Sequence, residues 1–330
     1  MGTGTEKSEA PILNVSLHFV CVFFVFWKIF LPKLIIFILV KNIDGRTRLL
    51  AIFGNPVGHS KSPCMHNAVF EKFGISAAYV PLSPEPADLG KAISGFRAMK
   101  FLGANVTIPF KEKVGEFLDG LSEISRFTGS VNTLYWENGI VGGKLLGTTT
   151  DPYGALLDLE ENGVFVKGSR VAILGNGGAA RAIAFAMLSE GVESLTIVSR
   201  NAERGAELAK ALLNAFPERA PVGHIVFPEF GKIRKSVDLV LNATSVGMTP
   251  NEGETPLPLE MLSPNFAVCD IVYAPAETRL LREAKSVGCK TVGGSAMLVY
   301  QGAKSFEYWF PGKKADVQTM KEAIGLVEGK

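Results

Sequence analysis

Four apolar residues, Val171 to Leu174, run straight into Gly175-Asn176-Gly177-Gly178-Ala179-Ala180, and a helical pattern follows to about Ser189. This junction constrains the fold more than any other stretch of the chain. A short, wholly apolar run that ends at a turn is a strand buried on both faces, which calls for a parallel sheet covered by helices on both sides. Glycines at the strand-to-helix turn let the backbone approach a ligand, and the free N–H groups and positive dipole end of the helix attract phosphate. Glycine-rich turns also occur for packing alone. Placed after a buried strand, this one reads as a dinucleotide turn, with Gly175, Asn176, Gly177, Gly178 and Ala179 as candidate cofactor residues.

The following strands extend that reading. Leu195–Val198, Asp238–Leu241 and Val268–Val272 are short apolar runs with the spacing of a dinucleotide-binding domain. The first of them ends in Ser199-Arg200-Asn201, with Arg204 one turn later and no acidic residue at the tip. An NAD site would place Asp or Glu about 20 residues beyond the glycine turn, to accept from the ribose hydroxyl. A guanidinium there suits the additional phosphate of NADP through charge and paired hydrogen bonds. The plainer alternative makes Arg200 and Arg204 solvated residues at a helix start.

At 330 residues the chain is too long for one small core and suits two domains. Before the glycine turn, Leu49–Phe53 reads as a strand entering the turn Gly54-Asn55-Pro56, and Ser62-Pro63 as a helix start with Ser62 as the N-cap. Strands are expected at Ala78–Leu82, Gly103–Thr107 and Val131–Trp136, with a helix from about Pro86 to Met99. Asn138-Gly139 reads as a hairpin turn, and a helix from about Tyr153 to Glu161 stops at Asn162-Gly163. The expectation is an α/β protein with a mostly parallel sheet at 46–150 and a Rossmann-like domain at 151–296. Helical patterns from Met297 to Phe310 and from about Ala315 to Leu326 would return to the first domain, completing it through 297–330.

Residues 1–45 stand apart. Val15 to Val40 is almost wholly apolar, interrupted by Lys28, Pro32 and Lys33. It is long enough to cross a bilayer, and no small-residue cleavage site follows it. A membrane anchor and an adventitious extension such as a mis-assigned start both fit, and any membrane contact would run through residues 15–40. Otherwise a cytoplasmic protein is expected. Cys21, Cys64, Cys269 and Cys289 are far apart with no CxxC spacing, so neither a disulfide framework nor a zinc or other metal site is expected. With 20% charged residues and a net charge of +2, no basic field points to nucleic acid.

Chemistry concentrates in two polar motifs, Asn105-Val106-Thr107-Ile108-Pro109-Phe110-Lys111 and Gly147-Thr148-Thr149-Thr150-Asp151. An ammonium and a carboxylate ahead of a dinucleotide turn suggest proton transfer beside a hydride carrier. The same pair could be an idle surface salt bridge, worth under about 1 kcal/mol. Ser60 and Ser62, near a helix start, can hold a small carboxylate, and with Asn105, Thr107, Asn132 and Thr133 the inventory suits a polyhydroxylated acid. His59 and His66 lack an acidic neighbour and read as structural, hydrogen-bonding in the turn and first helix.

Seven motifs in order, GNPVGHSKSPCMHN from Gly54, NVTIPFK from Asn105, VNT from Val131, GNGGAARA from Gly175, NATSVGM from Asn242, DIVYAPAET from Asp270 and GGSAMLVYQGA from Gly293, resemble the shikimate dehydrogenase family over about residues 49 to 310. The resemblance implies a mixed-sheet substrate domain, a Rossmann-like NADP domain and a cleft between them. It implies reversible NADPH-dependent reduction of 3-dehydroshikimate to shikimate, on the route to chorismate and aromatic amino acids. Lys111 and Asp151 would be the catalytic pair, and Ser60 and Ser62 would take the substrate carboxylate. Asn105, Thr107, Asn132 and Gln301 would take ring hydroxyls, with Tyr273 beside the substrate. Ser199, Arg200, Asn201, Arg204 and Thr244 would border the cofactor, with Ile271, Gly294 and Met297 near the nicotinamide.

The chain departs from the family where Asn176 replaces Ala, where Ser199-Arg200-Asn201 replaces Asn-Arg-Thr, and where Thr149 replaces an Asn, which would loosen the loop holding Asp151. A broader quinate/shikimate dehydrogenase, with NAD use, is the nearest alternative, and an idle NADP-binding module the alternative of another class. Monomer and homodimer both remain open.

Overall fold

The computed structural model describes residues 43–326 together with Met1, so the apolar stretch 15–40 and the choice about its nature lie outside the described residues. Thr47–Lys330 forms one unit, and everything below lies within it. Two six-stranded sheets organise that unit.

The first sheet is built from β1 (Arg48–Phe53), β2 (Ala77–Leu82), β3 (Gly103–Val106), β4 (Gly120–Leu121), β5 (Thr133–Trp136) and β6 (Leu145–Thr148), in the order β2-β1-β3-β5-β6-β4. It is mixed: β1 runs parallel to β2 and β3, whereas β5 is antiparallel to both β3 and β6. Alternation along β1 shows how both faces are buried. Leu50 and Ile52 pack with α1 (Ser62–Lys72) through Met65, Val69 and Phe70. Ala51 and Phe53 face the other way, toward Leu89, Ile93 and Phe96 of α2 (Leu89–Ala98). A short helix, α3 (Glu123–Thr128), follows β4 and is capped by the Ser122 hydroxyl.

The second sheet contains β7 (Arg170–Leu174), β8 (Ser194–Ser199), β9 (Val222–Val226), β10 (Leu239–Asn242), β11 (Ala267–Asp270) and β12 (Thr291–Gly293), all parallel, in the order β12-β11-β10-β7-β8-β9. Chain order therefore reverses between β7 and β10, which opens a crevice at the carboxyl ends of those strands. On one face lie α4 (Asp151–Glu161), α5 (Gly178–Glu190) and α6 (Ala202–Ala215), burying Leu156, Leu159, Ile183 and Leu208. On the other, α7 (Arg279–Ser286) buries Leu280 and Leu281. The chain then crosses back. In α8 (Met297–Trp309), Val299, Phe306 and Trp309 join the core of the first sheet, and the Trp309 indole donates to the Leu134 carbonyl at 3.0 Å. After it, α9 (Val317–Ala323) is tied to α1 by the Asp316–Lys72 ion pair at 2.8 Å.

Three local expectations need correction. Ser62 is the first residue of α1 and not its cap. Lys61 holds the cap position without a side-chain bond, and the Ser60 hydroxyl accepts from the Ser62 N–H at 3.3 Å. Asn138-Gly139 does not close a two-residue hairpin. Strands β5 and β6 do pair, but Trp136 faces Leu145, and a short 3-10 turn with Asn138 at φ +55° starts the longer loop between them. Finally, α4 begins at Asp151, not Tyr153, which places the carboxylate in the first helical turn where the dipole favours negative charge.

Candidate active site

Lys111 leaves the first sheet on the segment after β3. Phe110, 2% exposed, anchors that segment in the core, and the Lys111 carbonyl accepts from the Val131 N–H at 2.8 Å. Its ammonium meets Asp151 Oδ2 at 2.5 Å, each side chain being about 30% exposed at 29% and 30%. One side of the pair is thus open to solvent, while the other rests on buried polar groups.

Those groups form a closely matched network. The Thr150 N–H donates to Asn132 Oδ1 at 2.8 Å, which sets the orientation of that amide. Its Nδ2 then donates to Asp151 Oδ1 at 2.7 Å and to the Thr150 hydroxyl at 3.0 Å, with Gln301 Oε1 at 3.3 Å. Asn105 Nδ2 faces three acceptors, Ser305 Oγ at 2.9 Å, the Asn132 carbonyl at 3.0 Å and Thr133 Oγ1 at 3.1 Å. Asn105 Oδ1 accepts from the Tyr79 hydroxyl at 2.8 Å. Burial holds the Tyr79 phenol far above its ordinary range, so it stays a donor. Asn105 and Asn132 therefore spend their donors inside the protein. Ser60, Thr107 and Tyr273 stand outside this network, and Tyr273 is 71% exposed.

His66 corrects a further expectation. Its ring is fully buried and stacks on Tyr79 with centroids 4.6 Å apart, and neither ring nitrogen has a hydrogen-bond partner. Burial pushes its pKa down to about 3, so the imidazole is a neutral packing element.

At the carboxyl end of β7 the construction is different. Gly175 has φ +113°, and a Cβ there would stand 3.0 Å from the Thr244 methyl and 3.2 Å from the Ala243 carbonyl, so only glycine passes. Gly177 caps α5 without a side chain, and a Cβ on Gly177 or Gly178 would meet nothing within 4 Å. Asn176 Nδ2 is buried without a partner. An open glycine turn, uncapped N–H groups and an orphan amide suit a pyrophosphate, so the residues present fit a dinucleotide. At the β8 tip, Asn201 caps α6 by accepting from the Arg204 N–H at 2.9 Å. The Ser199 hydroxyl donates to the Asn201 carbonyl at 2.8 Å and lies 3.1 Å from His224 Nε2. That leaves the exposed Arg200 and Arg204 as the side chains available to a phosphate. Thr244 bonds Asn242 Oδ1 at 2.7 Å, and Asn242 in turn donates to Asp270 at 2.9 Å. A Cβ on Gly294 would run into the Ile271 carbonyl, which brings these two expected positions together. Ala179 lies exposed in the first turn of α5, and Met297 is partly buried against the second core.

Against known sequences, the chain is 45% identical to the shikimate dehydrogenase (NADP(+)) of Symbiobacterium thermophilum over 288 residues, 86% of this chain and 96% of that protein. The chain belongs to the shikimate dehydrogenase family. The profile of the family's substrate-binding domain matches residues 52–134, that of shikimate/quinate 5-dehydrogenase residues 159–249, and that of the C-terminal domain residues 294–324. The shikimate dehydrogenase (NADP(+)) of Moorella thermoacetica is 41% identical over 87% of this chain and 97% of its own. Among solved structures, shikimate 5-dehydrogenase from Listeria monocytogenes, in complex with shikimate and NAD, superposes with a TM-score of 0.78 at 35% identity, covering 87% of this chain and 99% of that one. The α/β architecture of two sheets is thus the family's.

Thr149 is 2% exposed, and the loop holding Asp151 is tied to Asn132 through the neighbouring Thr150. Tyr79, Thr150 and Ser305 join this network without a distinct signal of their own in the motifs. For Ser305 the spacing alone is a signal, because it lies four residues after Gln301 and so shares its helix face. Among the described residues, no group of three or more His, Cys, Asp or Glu is arranged to hold a metal.

Proposed function

We propose that the chain reversibly reduces the ring ketone of 3-dehydroshikimate to the hydroxyl of shikimate, with NADPH as reductant, on the route to chorismate and aromatic amino acids. The observation that carries this is the Lys111–Asp151 contact, partly open to solvent and braced from behind by Asn132. NADPH, when bound, supplies the hydride. Lys111 stabilises the negative charge that grows on the ketone oxygen and delivers a proton to it. Asp151 orients the ammonium and relays the proton in the reverse direction. Ser60 and Ser62 take the substrate carboxylate, and Thr107, Gln301 and Tyr273 take ring oxygens. Asn132 reaches the substrate only by exchanging a bond it makes within the protein, while Asn105 keeps one lone pair of Oδ1 for a substrate hydroxyl.

In this reading residues 46–150 with 297–330 bind substrate, and residues 151–296 bind cofactor. Gly175 to Ala179 receive the pyrophosphate, and Arg200 and Arg204 receive the 2′-phosphate. Ser199 and Asn201 shape that strand end, while Thr244, Ile271 and Gly294 border the nicotinamide. The test is initial-rate absorbance at the nicotinamide band with the full chain, offering shikimate and quinate, each with NADP and with NAD. Turnover should be strong only with shikimate and NADP. Comparable rates with quinate or NAD would move the chain to the broader class, and no turnover with NADP binding intact would leave an idle binding module.

A further inference from the structure

Ser305 is fully buried on α8, and its hydroxyl oxygen lies at hydrogen-bond distance from four groups. They are Asn105 Nδ2 at 2.9 Å, Thr133 Oγ1 at 2.8 Å, Thr150 Oγ1 at 3.1 Å and the Gln301 carbonyl at 3.0 Å. The last is the ordinary back-contact of a helical serine. The other three join residues from the loop before α4, from β3 and from β5, so this one hydroxyl ties together the elements that carry the acid–base pair.

Counting protons resolves how. A hydroxyl has one proton and two lone pairs. One direction around the cluster satisfies them. The Thr150 O–H donates to Ser305, the Ser305 O–H is shared between Thr133 Oγ1 and the Gln301 carbonyl, the Thr133 O–H donates to Asn132 Oδ1 at 2.7 Å, and Asn132 Nδ2 returns to Thr150 at 3.0 Å. Asn105 fills the remaining lone pairs of Ser305 and Thr133 from outside the ring. The second Asn132 N–H is left for Asp151 Oδ1 at 2.7 Å. All ring members are between 0% and 2% exposed, where bonds of this kind reinforce one another and water cannot replace a missing one.

We propose that Ser305 is a positioning residue for catalysis: it closes a buried hydrogen-bond ring that holds the Asn132 amide, and through it Asp151, in register with Lys111. Without its oxygen the Thr150 proton turns to Asn132 Oδ1, already 3.1 Å away, and the amide loses the bond that aims its other N–H at Asp151. The inference rests on Lys111 and Asp151 acting in shikimate turnover.

The experiment compares Ser305→Ala, Ser305→Cys and the wild-type chain in kcat, KM for shikimate, the pH profile of kcat and the equilibrium Kd for NADP+. In Ser305→Ala, kcat should fall on the order of 10- to 100-fold from misalignment. The pH profile of kcat should differ from that of the wild type, with KM little changed and the NADP+ Kd within about twofold. Ser305→Cys should recover part of the loss. Thr133→Val cuts the ring at another member and should reproduce the same split, which keeps the test decisive should Ser305→Ala not fold. Variants with a lower thermal midpoint but wild-type kcat and pH profile would overturn the proposal, since that is what a purely structural serine produces. A wild-type chain without shikimate turnover would instead remove the functional reading beneath it.

Discussion

The carboxyl edges of the two sheets solve different problems with different materials. Around β3, β5 and β6 the polar groups are buried side chains that bond to one another: Asn105, Asn132, Thr133 and Thr150 are at most 4% exposed. At the β7 turn the groups on offer are backbone, and Gly177 and Gly178 there, with Arg200 and Arg204 after β8, lie open to solvent. Under the proposed function this difference has a reason: proton transfer tolerates little misplacement, and the polar core of the first region would align one carboxylate. Binding a phosphate needs only N–H groups in a turn and a cation within reach, so the second stays bare. One region is preorganised through side chains and the other through glycine geometry.

Lys111→Ala is the strongest way to break that contrast. If the buried network exists to present this ammonium, its removal should lower kcat by roughly 10³-fold while NADP+ still binds normally. The fold should be nearly unaffected, because a pair about 30% exposed adds little stability. Stopped-flow turnover together with a thermal melt checks both halves. A variant that keeps near wild-type turnover would leave Lys111–Asp151 as an ordinary ion pair.

A smaller effect should come from the bare side. Arg200→Ala should weaken NADP+ binding by about 10- to 100-fold, the range for losing a charge-assisted bond, and leave NAD+ binding unchanged. Titration calorimetry with both nucleotides gives the ratio directly. Equal weakening of the two would make Arg200 a general contributor to the turn and not a reader of the 2′-phosphate.

The same contrast decides what could be read in advance. The glycine turn and the parallel strands are local patterns: an unbroken apolar run, then glycines, then a helical period, all within about twenty residues. The network is assembled from distant positions, as when Asn105 bonds Ser305, and no window along the chain contains both. Tyr79 was hidden because β2 reads simply as an apolar strand, although its hydroxyl holds Asn105. Strand β4 has only two residues and β6 includes a glycine, so neither has a pattern to find. At Ser62 and His66 the side chain's chemistry suggests a hydrogen bond that three-dimensional packing gives to another atom or to none.

The smallest predicted effect concerns the helix shared by the two regions. It starts with Asp151 in the network, and its body buries Leu156 and Leu159 in the core of the second sheet. Asp158, 4% exposed on this helix, has its pKa pushed up to about 7 by burial, with the Lys321 charge and the Asn162 amide opposing the shift. A carboxyl whose folded pKa exceeds its unfolded one contributes stability that is present below the unfolded value of 3.8 and is lost as pH rises through about 7. Asn at this position carries no proton to lose. Asp158→Asn should therefore match the wild type near pH 4, melt a few degrees higher at pH 8, and flatten the profile between. Asp270, also raised by burial, and Asp316, lowered to about 2 beside Lys72, titrate in both proteins, so the difference between the two curves isolates Asp158. A variant less stable than wild type at pH 8 would mean that Asp158 is ionised in the folded chain and held by Lys321. The shared helix would then carry a buried ion pair, and the polar core of the first region would extend into the second.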